Sequence, residues 1–363
     1  MCWLCIRSLS ALLATKTWRL ATTDSPTSYL TVGGRGGNRR SFVAVRQSST
    51  KAGRDSSRGD EEILGHCRGV DNAAHPGSRT LVFEVSPEIL GTAAEEALLK
   101  AQIDCSDRPL RSKLMQKDQS LRALLAKFDS VLVQLMPPWR YTVDAELRAW
   151  SEKVISESSP EVQVVPASQV EAATLHEMEV DHYIAQHESW SPAAERSILL
   201  DLLAEDHDPT SDGSWNRVCS TAVVSDRGDV LAAALVWGAV ELSQVESSGN
   251  EAPEVVYLSR SYGSRESWKH KLLAVAGVIA SVPVGTELCI DSHLSMVDEF
   301  KSIGSIPGVD HESGDWTAIV STPVTNGALP IALDPALVPD VASWVRELII
   351  SGSLECNKVK NSV

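Results

Sequence analysis

"SWKHKLLAVAGVIASVPVGTELCIDSH", Ser267 to His293, reads as a helix, a turn and a short strand that ends on a carboxylate. Apolar residues recur with the helical period from about Glu266 to Ala280, and the segment "SVPVG" then breaks the pattern. Glu287 to Ile290 has the apolar and β-branched content of a buried strand, which delivers Asp291 at its tip. Two roles compete for that aspartate. In one, Asp291 or Ser292 caps a following helix, Leu294 to Ile303, by accepting from its free N–H groups. In the other, Asp291 belongs to carboxylates gathered at strand ends around a divalent metal.

Working upstream, "VCSTAVVSD" and "DVLAAALVWGAV" read as strands joined at "DRGD", where Gly228 can supply a positive φ. After the polar loop "SQVESSGNEAP" comes the strand "EVVYLS", which leads into the helix before Asp291. Downstream follow a strand, "WTAIVS", and a final helix from about Pro339 to Ile350. The fold class is therefore α/β: a meander of strands, then alternating helix and strand, in a mixed sheet covered by helices. Such sheets place ligands beyond their strand ends, which favours a site at Asp291.

The preceding part reads differently. After a short strand, "TLVFEV", helical spacing covers Ala93 to Gln102, Gln119 to Leu135, Val143 to Ser156, Ala167 to His187 and Pro192 to Glu205. No internal repeat is visible. The expected organisation is a transit-like or unstructured segment and linker over 1–78, a mainly helical region over 79–205, the α/β domain over 206–350 and a tail over 351–363.

Charge limits the partners. Of 363 residues, the first sixty hold ten Lys/Arg against three Asp, whereas the remainder holds 23 basic and 45 acidic residues. A body this acidic lacks a broad footprint for nucleic acid, so phosphate contact would need a local patch such as Arg260, Arg265, Lys269, His270 and Lys271. The first sixty residues, rich in Arg, Ser and Thr, look like a mitochondrial address ending near "RRSFVAVRQSST". The seven cysteines show no disulfide-framework spacing, which implies a reducing, intracellular compartment. No long apolar run suggests a membrane span. Oligomeric state is not legible.

Three segments resemble the ribonuclease H family: "SDGSW" (Ser211 to Trp215), the helix and strand ending in "CIDSH", and "PDVASW" (Pro339 to Trp344). The resemblance implies a ribonuclease H-like mixed sheet preceded by a mainly helical region. It implies Asp212, Asp291 and Asp340 as catalytic, metal-holding carboxylates, with Asp334 as an alternative to Asp340, and Mg²⁺ or Mn²⁺ as cofactor. The substrate would be an RNA–DNA hybrid, met by Arg265, Lys269 and Lys271. Two metal ions would activate water and stabilise the departing alkoxide. Lys271 stands where the family carries a glutamate, so its ammonium is expected to pair with Asp212 and Asp291 and to weaken metal binding and cleavage. A binding domain without cleavage is then the alternative. His311 matches a mobile family histidine.

A different class also fits. "VYLSRSYGSRESWKHKLLAVAGVIA", Val256 to Ala280, resembles the strand, Arg-x-x-Gly turn and helix of Gcn5-related acyl-coenzyme A transferases, and "DEFKSIGSI" their later helix and turn. That resemblance implies a pyrophosphate resting on N–H groups at the helix start. Arg265 occupies a loop position where a small residue would allow the closest approach. Other motifs are weak: one C-x-x-C at Cys2 and Cys5, "GGRGGN" without flanking elements, and His176, His182 and His187, whose spacing sends them to different helix faces and is expected to leave them on polar surface.

Overall fold

The computed structural model describes residues 28–33, 40–47, 61–115, 117–136, 139–208, 211, 214–238, 252–259, 265–308 and 316–324. They form two mixed sheets with helices packed on them. The chain begins with β1 (Ser28–Gly33), β2 (Arg40–Gln47), β3 (Glu61–Asp71) and β4 (Arg79–Val85), followed by α1 (Ala93–Cys105), β5 (Leu110–Leu114), α2 (Gln119–Ala126) and β6 (Val131–Met136). A middle section holds β7 (Trp139–Thr142), α3 (Ala145–Ser156), β8 (Val162–Pro166), α4 (Ala172–His187) and α5 (Arg196–His207). Last come β9 (Thr221–Ser225), β10 (Val230–Trp237), β11 (Glu254–Ser259), α6 (Arg265–Ser281), β12 (Glu287–Ile290), α7 (Val297–Ile303) and β13 (Thr317–Thr322).

The strand orders are β1-β2-β3-β4-β5-β13-β6 and β7-β12-β11-β10-β9-β8. Each sheet is an antiparallel four-stranded meander whose last strand, after a helical crossover, gains a parallel neighbour. In the first sheet α1 links β4 to parallel β5; in the second α6 links β11 to parallel β12. The chain therefore repeats one topology, although its sequence shows no repeat. The two units exchange strands as well: β13 enters the first sheet between β5 and β6, and β7 pairs antiparallel with β12 in the second.

These strands change the expected organisation. The stretch 61–78 contributes β3, and 79–205, expected as mainly helical, contains five strands, β4 to β8. The run Gln119 to Leu135 is not one helix: α2 stops at Ala126, Asp129 turns with φ 51°, and "VLVQLM" continues as a buried strand. A buried strand has no alternation, so its apolar run reads equally well as helix. The hairpin at "DRGD" forms as read, with Gly228 at φ 84° and its N–H donating to Ser225 O. The final helix expected at Pro339 to Ile350 lies outside the described residues.

Packing of α6 on the second sheet positions the site. Ala274, Val275, Val278 and Ile279 are buried, and Thr221 Oγ1 donates to Ala274 O at 2.6 Å. The approach is so close that a Cβ on Gly277 would lie 2.7 Å from Val164 Cγ1 and 2.8 Å from Thr221 Oγ1. Alanine is favoured over glycine in a helix by about 1 kcal/mol, but overpacking costs about 1–3 kcal/mol. Both neighbours are stiff, β-branched side chains, so Gly277→Ala should lower stability. Urea unfolding checks this; an unchanged or higher midpoint would refute the close-packing account.

Candidate functional site

The parallel register of β11 and β12 comprises Glu254↔Cys289 and Val255↔Ile290. Cys289 N donates to Pro253 O at 2.9 Å and Asp291 N to Val255 O at 3.1 Å, and there the ladder stops. The next hydrogen bonds of this segment go to the other sheet: Leu294 N to Leu135 O at 3.0 Å, and Ser295 N to Gln134 Oε1 at 3.3 Å. Gln134 is fully buried and also donates to Ser295 Oγ at 2.7 Å. Drawn onto β6, the chain leaves β11, and a wedge opens past Val255. Peptide groups of 253 and 255 face β12, so by strand alternation those of Tyr257 face the opening.

Side chains from both faces of the sheet meet in this wedge. The His182 ring, from α4, lies 6.0 Å from that of Tyr257, and Lys271 Nζ, from α6, lies 5.5 Å from the Tyr257 ring. A closed sheet, with packed layers about 10 Å apart, would keep such groups away from each other. Lys271 pairs with Glu299 Oε1 of α7, and all four residues are buried. Trp268 borders Tyr257 and bonds Ser302. Glu299 Oε2 has no hydrogen-bond partner, and the Tyr257 hydroxyl lies beside Glu299 and Ser292 without standard hydrogen-bond geometry to either.

Burial dominates the electrostatics. It pushes the Tyr257 phenol well above its ordinary range, with Glu299 and Asp291 adding to the effect, and raises Glu299 against the pull of Lys271. It lowers Lys271 against the pull of Glu299, and lowers His182 further, aided by Lys271 and His293. The wedge thus offers a phenol that keeps its proton and a carboxylate with one oxygen unsatisfied. Such a pair can give and accept protons at a reacting centre.

Beside the wedge, a seam of rings joins the two sheets. Tyr183 and His187 of α4, His75 of the β3–β4 turn, Trp190 and His293 are packed together. Tyr183 Oη and His75 Nε2 are 2.7 Å apart, and His187 Nδ1 lies 2.8 Å from Tyr183 O. Arg111 of β5 lies over Trp190 and donates from Nη2 to Trp190 O at 2.6 Å.

The residues expected to carry nuclease chemistry fall as follows. Asp291 does sit at the tip of β12, but it is buried, with Oδ1 4.0 Å from His293 Nε2. It does not cap a helix, since α7 starts only at Val297, and Ser292 Oγ instead accepts from Trp139 Nε1 at 2.7 Å. Asp212, Asp340, Asp334, His311 and Arg260 lie outside the described residues. Arg265 opens α6, with its side chain outside the described set; Lys269 is exposed, while Lys271 is buried. Lys271 therefore cannot meet a phosphate backbone at the surface, and it pairs with Glu299.

The described residues of "SDGSW" are not in a strand. Ser211, Ser214 and Trp215 belong to turns before β9, and Trp215 anchors them, donating from Nε1 to His207 Nδ1 at 3.2 Å. His207 Nε2 in turn faces Glu179 at 2.6 Å, a satisfied structural histidine. The α4 histidines do point to different sides, but not to polar surface: His176 stacks on His207, His182 enters the wedge and His187 the seam. Among the described residues, no group of three or more His, Cys, Asp or Glu could hold a metal ion, which counts against the expected Mg²⁺ or Mn²⁺ cofactor.

No protein-family model and no curated protein sequence matches this chain. Among solved structures, a GCN5-related N-acetyltransferase from Sphaerobacter thermophilus is similar at TM-score 0.44 and 9% identity, covering 79% of this chain and 82% of that one. A Saccharomyces cerevisiae N-myristoyltransferase with bound myristoyl-CoA is similar at TM-score 0.38 and 8% identity, covering 88% of each chain. A GCN5-related glucosamine N-acetyltransferase region of a fungal multi-domain β-N-acetylglucosaminidase reaches TM-score 0.44 and 13% identity, over 79% of this chain and 33% of that one. Two of these are named as N-acetyltransferases and one as an N-myristoyltransferase; the expected ribonuclease H-like fold, hydrolase activity and RNA–DNA hybrid partner give way on the chain's own geometry, with Ser211, Ser214 and Trp215 in turns where the family's first strand was expected and Lys271 buried against Glu299. Among the described residues no helix is long and apolar enough to cross a membrane.

Burial, opposed by Asp291, pushes His293 down to about 4 from its ordinary 6.5, so it is neutral in the folded protein. Between those values the unfolded chain binds more protons. Stability is complete above pH 6.5 and falls as pH drops toward 4, by about 3 kcal/mol for a shift of this size. Urea unfolding at pH 7.5 and pH 5 checks this: His293→Gln should flatten the difference, and equal slopes in both proteins would contradict it.

Proposed function

We propose that the chain is an acyl-coenzyme A-dependent N-acyltransferase of the Gcn5-related type, working in the wedge between β11 and β12. One observation carries this reading: a parallel strand pair, joined by a helical crossover, that separates after Val255 and Ile290 and admits functional side chains from both faces. Past the ladder's end, the Tyr257 peptide group can pair with an extended, amide-bearing arm, as a strand edge pairs with a peptide. The segment "SRSYGSRES" leads into α6, whose first N–H groups suit a pyrophosphate.

The repeated topology supplies an internal contrast. At the start of α1 the corresponding place is filled by the protein's own carboxylate, because buried Glu95 accepts from Gly91 N–H at 2.6 Å. An anion is therefore disfavoured there, and the function falls to the second unit.

The chemistry is an exchange of bonds at one carbonyl. Glu299 Oε2 takes a proton from the acceptor's ammonium; the amine nitrogen attacks the thioester carbon; the C–N bond forms as the C–S bond breaks; Tyr257 protonates the leaving thiolate; and its phenolate recovers a proton from the new amide nitrogen, while Glu299 returns its proton to solvent. Lys271 holds Glu299 in place. The basic, apolar stretch ahead of β1 supports mitochondria as the place of action; residues 1–27 fused to a fluorescent protein should direct it there, and a purely cytosolic signal would refute this.

Thermal unfolding tests the main reading. Acetyl-CoA at a hundredfold excess over its Kd should stabilise the fold by about 2.7 kcal/mol, whereas Mg²⁺ alone should not. Tyr257→Phe and Glu299→Gln should keep this stabilisation and slow acyl transfer about 10²- to 10⁴-fold. The absence of stabilisation by acetyl-CoA and by longer acyl-CoA thioesters would overturn it.

A further inference from the structure

We infer that the seam between the two sheets binds the acyl acceptor, and that this acceptor is an amine that also bears a carboxylate, held by Arg111. The inference rests on the acyltransferase reading, which it extends from the acyl donor to the acceptor.

Arg111 carries the argument. Its guanidinium has one described hydrogen bond, from Nη2 to the carbonyl of Trp190, while Nε and Nη1 are buried without any acceptor. A buried donor left unsatisfied costs about 1–3 kcal/mol, and more when charged. Among the described residues, Arg79 is paired with Asp71 and Asp107, Arg108 with Asp71, and Arg148 donates to the carbonyls of Ala280 and Val282; Nε of Arg68, Arg148 and Arg217 is also buried without an acceptor, but Arg111 alone leaves two guanidinium nitrogens so. At Arg111 the protein half-buries a cation, closes its Nε and Nη1 off from solvent and supplies it with a single neutral oxygen. Burial accordingly pushes Arg111 down to about 10. A guanidinium edge of this kind matches a carboxylate with two parallel hydrogen bonds.

Its surroundings join the same site to the wedge. The Trp190 ring is a hub, 5.9 Å from the Arg111 guanidinium carbon, 6.4 Å from the His75 ring, 4.9 Å from that of His187 and 5.5 Å from that of His293. Nδ1 of His293 is a second buried polar atom without a partner. His293 follows directly on the tip of β12, where Asp291 and Ser292 border the wedge. Arg111 comes from the first unit, Trp190 from the middle section and His293 from the second, so these groups come together only where the two units meet. Lys113, two residues along β5, adds positive potential felt at Asp291 and His293. An acceptor anchored by its carboxylate on Arg111 would extend its amine past His293 toward Glu299. Trp190 covers the guanidinium in the present conformation, so binding requires its indole to move aside.

Thermal unfolding of the full chain in a panel of the common L-amino acids, each paired with its carboxamide, tests the inference. At least one free acid should raise Tm while its carboxamide does not, and the difference should vanish in Arg111→Gln. Arg111→Lys, which keeps charge and stem without the second prong, should lose most of it, at least tenfold in apparent affinity. With acetyl-CoA present, the same acid should be N-acetylated, with KM raised at least tenfold and kcat little changed in Arg111→Lys. The inference is overturned if no free acid binds, if acid and carboxamide bind equally, or if Arg111→Lys binds as the parent does. Stabilisation by acetyl-CoA, measured in the same samples, separates the two readings: its presence without acid binding sinks the acceptor assignment alone.

Discussion

The site depends on a competition that β12 cannot satisfy on both sides. Its last residues can extend the ladder along β11 or dock onto β6 of the other sheet, and the chain does the second. Buried Gln134 decides the matter. Its amide oxygen accepts from Leu135 N and Ser295 N, and its nitrogen donates to Ser295 Oγ. An unmade hydrogen bond at such a buried amide costs about 1–3 kcal/mol, comparable to one or two ladder bonds, so the docked arrangement holds. With Leu294 N on Leu135 O, the strand must leave β11 after Asp291. The wedge is the geometric remainder of that choice.

Strand exchange makes the choice structural rather than local. Because β7 completes the second sheet and β13 enters the first, neither unit closes its sheet without the other. The seam is where these exchanged connections cross, and it gathers side chains that lie far apart in the chain: His75, Arg111, Tyr183, His187, Trp190 and His293. A single unit of this topology would have a wedge but no second wall. At the start of its crossover helix the first unit turns Glu95 back onto Gly91, and Ile89, Leu98, Leu99 and Leu110 are in the core.

Legibility in the sequence followed locality. The β9–β10 hairpin, α6 and the tip of β12 could be read because a turn glycine, a helical period and an apolar run ending in Asp are contained within a few residues. The strands β5 to β7 are hard to read: "VLVQLM" is an apolar run without alternation, while "LRSKL" and "WRYT" do alternate, but over only five and four residues. The site failed for a related reason. Lys271 was recognised as a cation at a strategic point, but its partner Glu299 is fixed by the path from β12 into α7, which no spacing reveals. In "SDGSW" the aspartate drew attention, whereas Trp215 holds the segment in place. The duplication escaped notice because it is written in strand order and not in residues.

The contents of the wedge argue that it is more than a packing defect. A buried ion pair is weak evidence for stability, since well-packed apolar residues of the same volume are often as stable or more so. Beside the first unit's parallel pair, Arg79 is paired with Asp71 and Asp107, and Glu95 accepts from Gly91 N–H. The second places a lysine, a glutamate, a tyrosine and a histidine in its opening, leaves one carboxylate oxygen unsatisfied, and separates the proton affinities of phenol and carboxylate by environment. Perturbed, mutually coupled groups of this kind concentrate where protons are moved during reaction. Four titratable groups gathered where β11 and β12 part are what burial energetics alone does not produce.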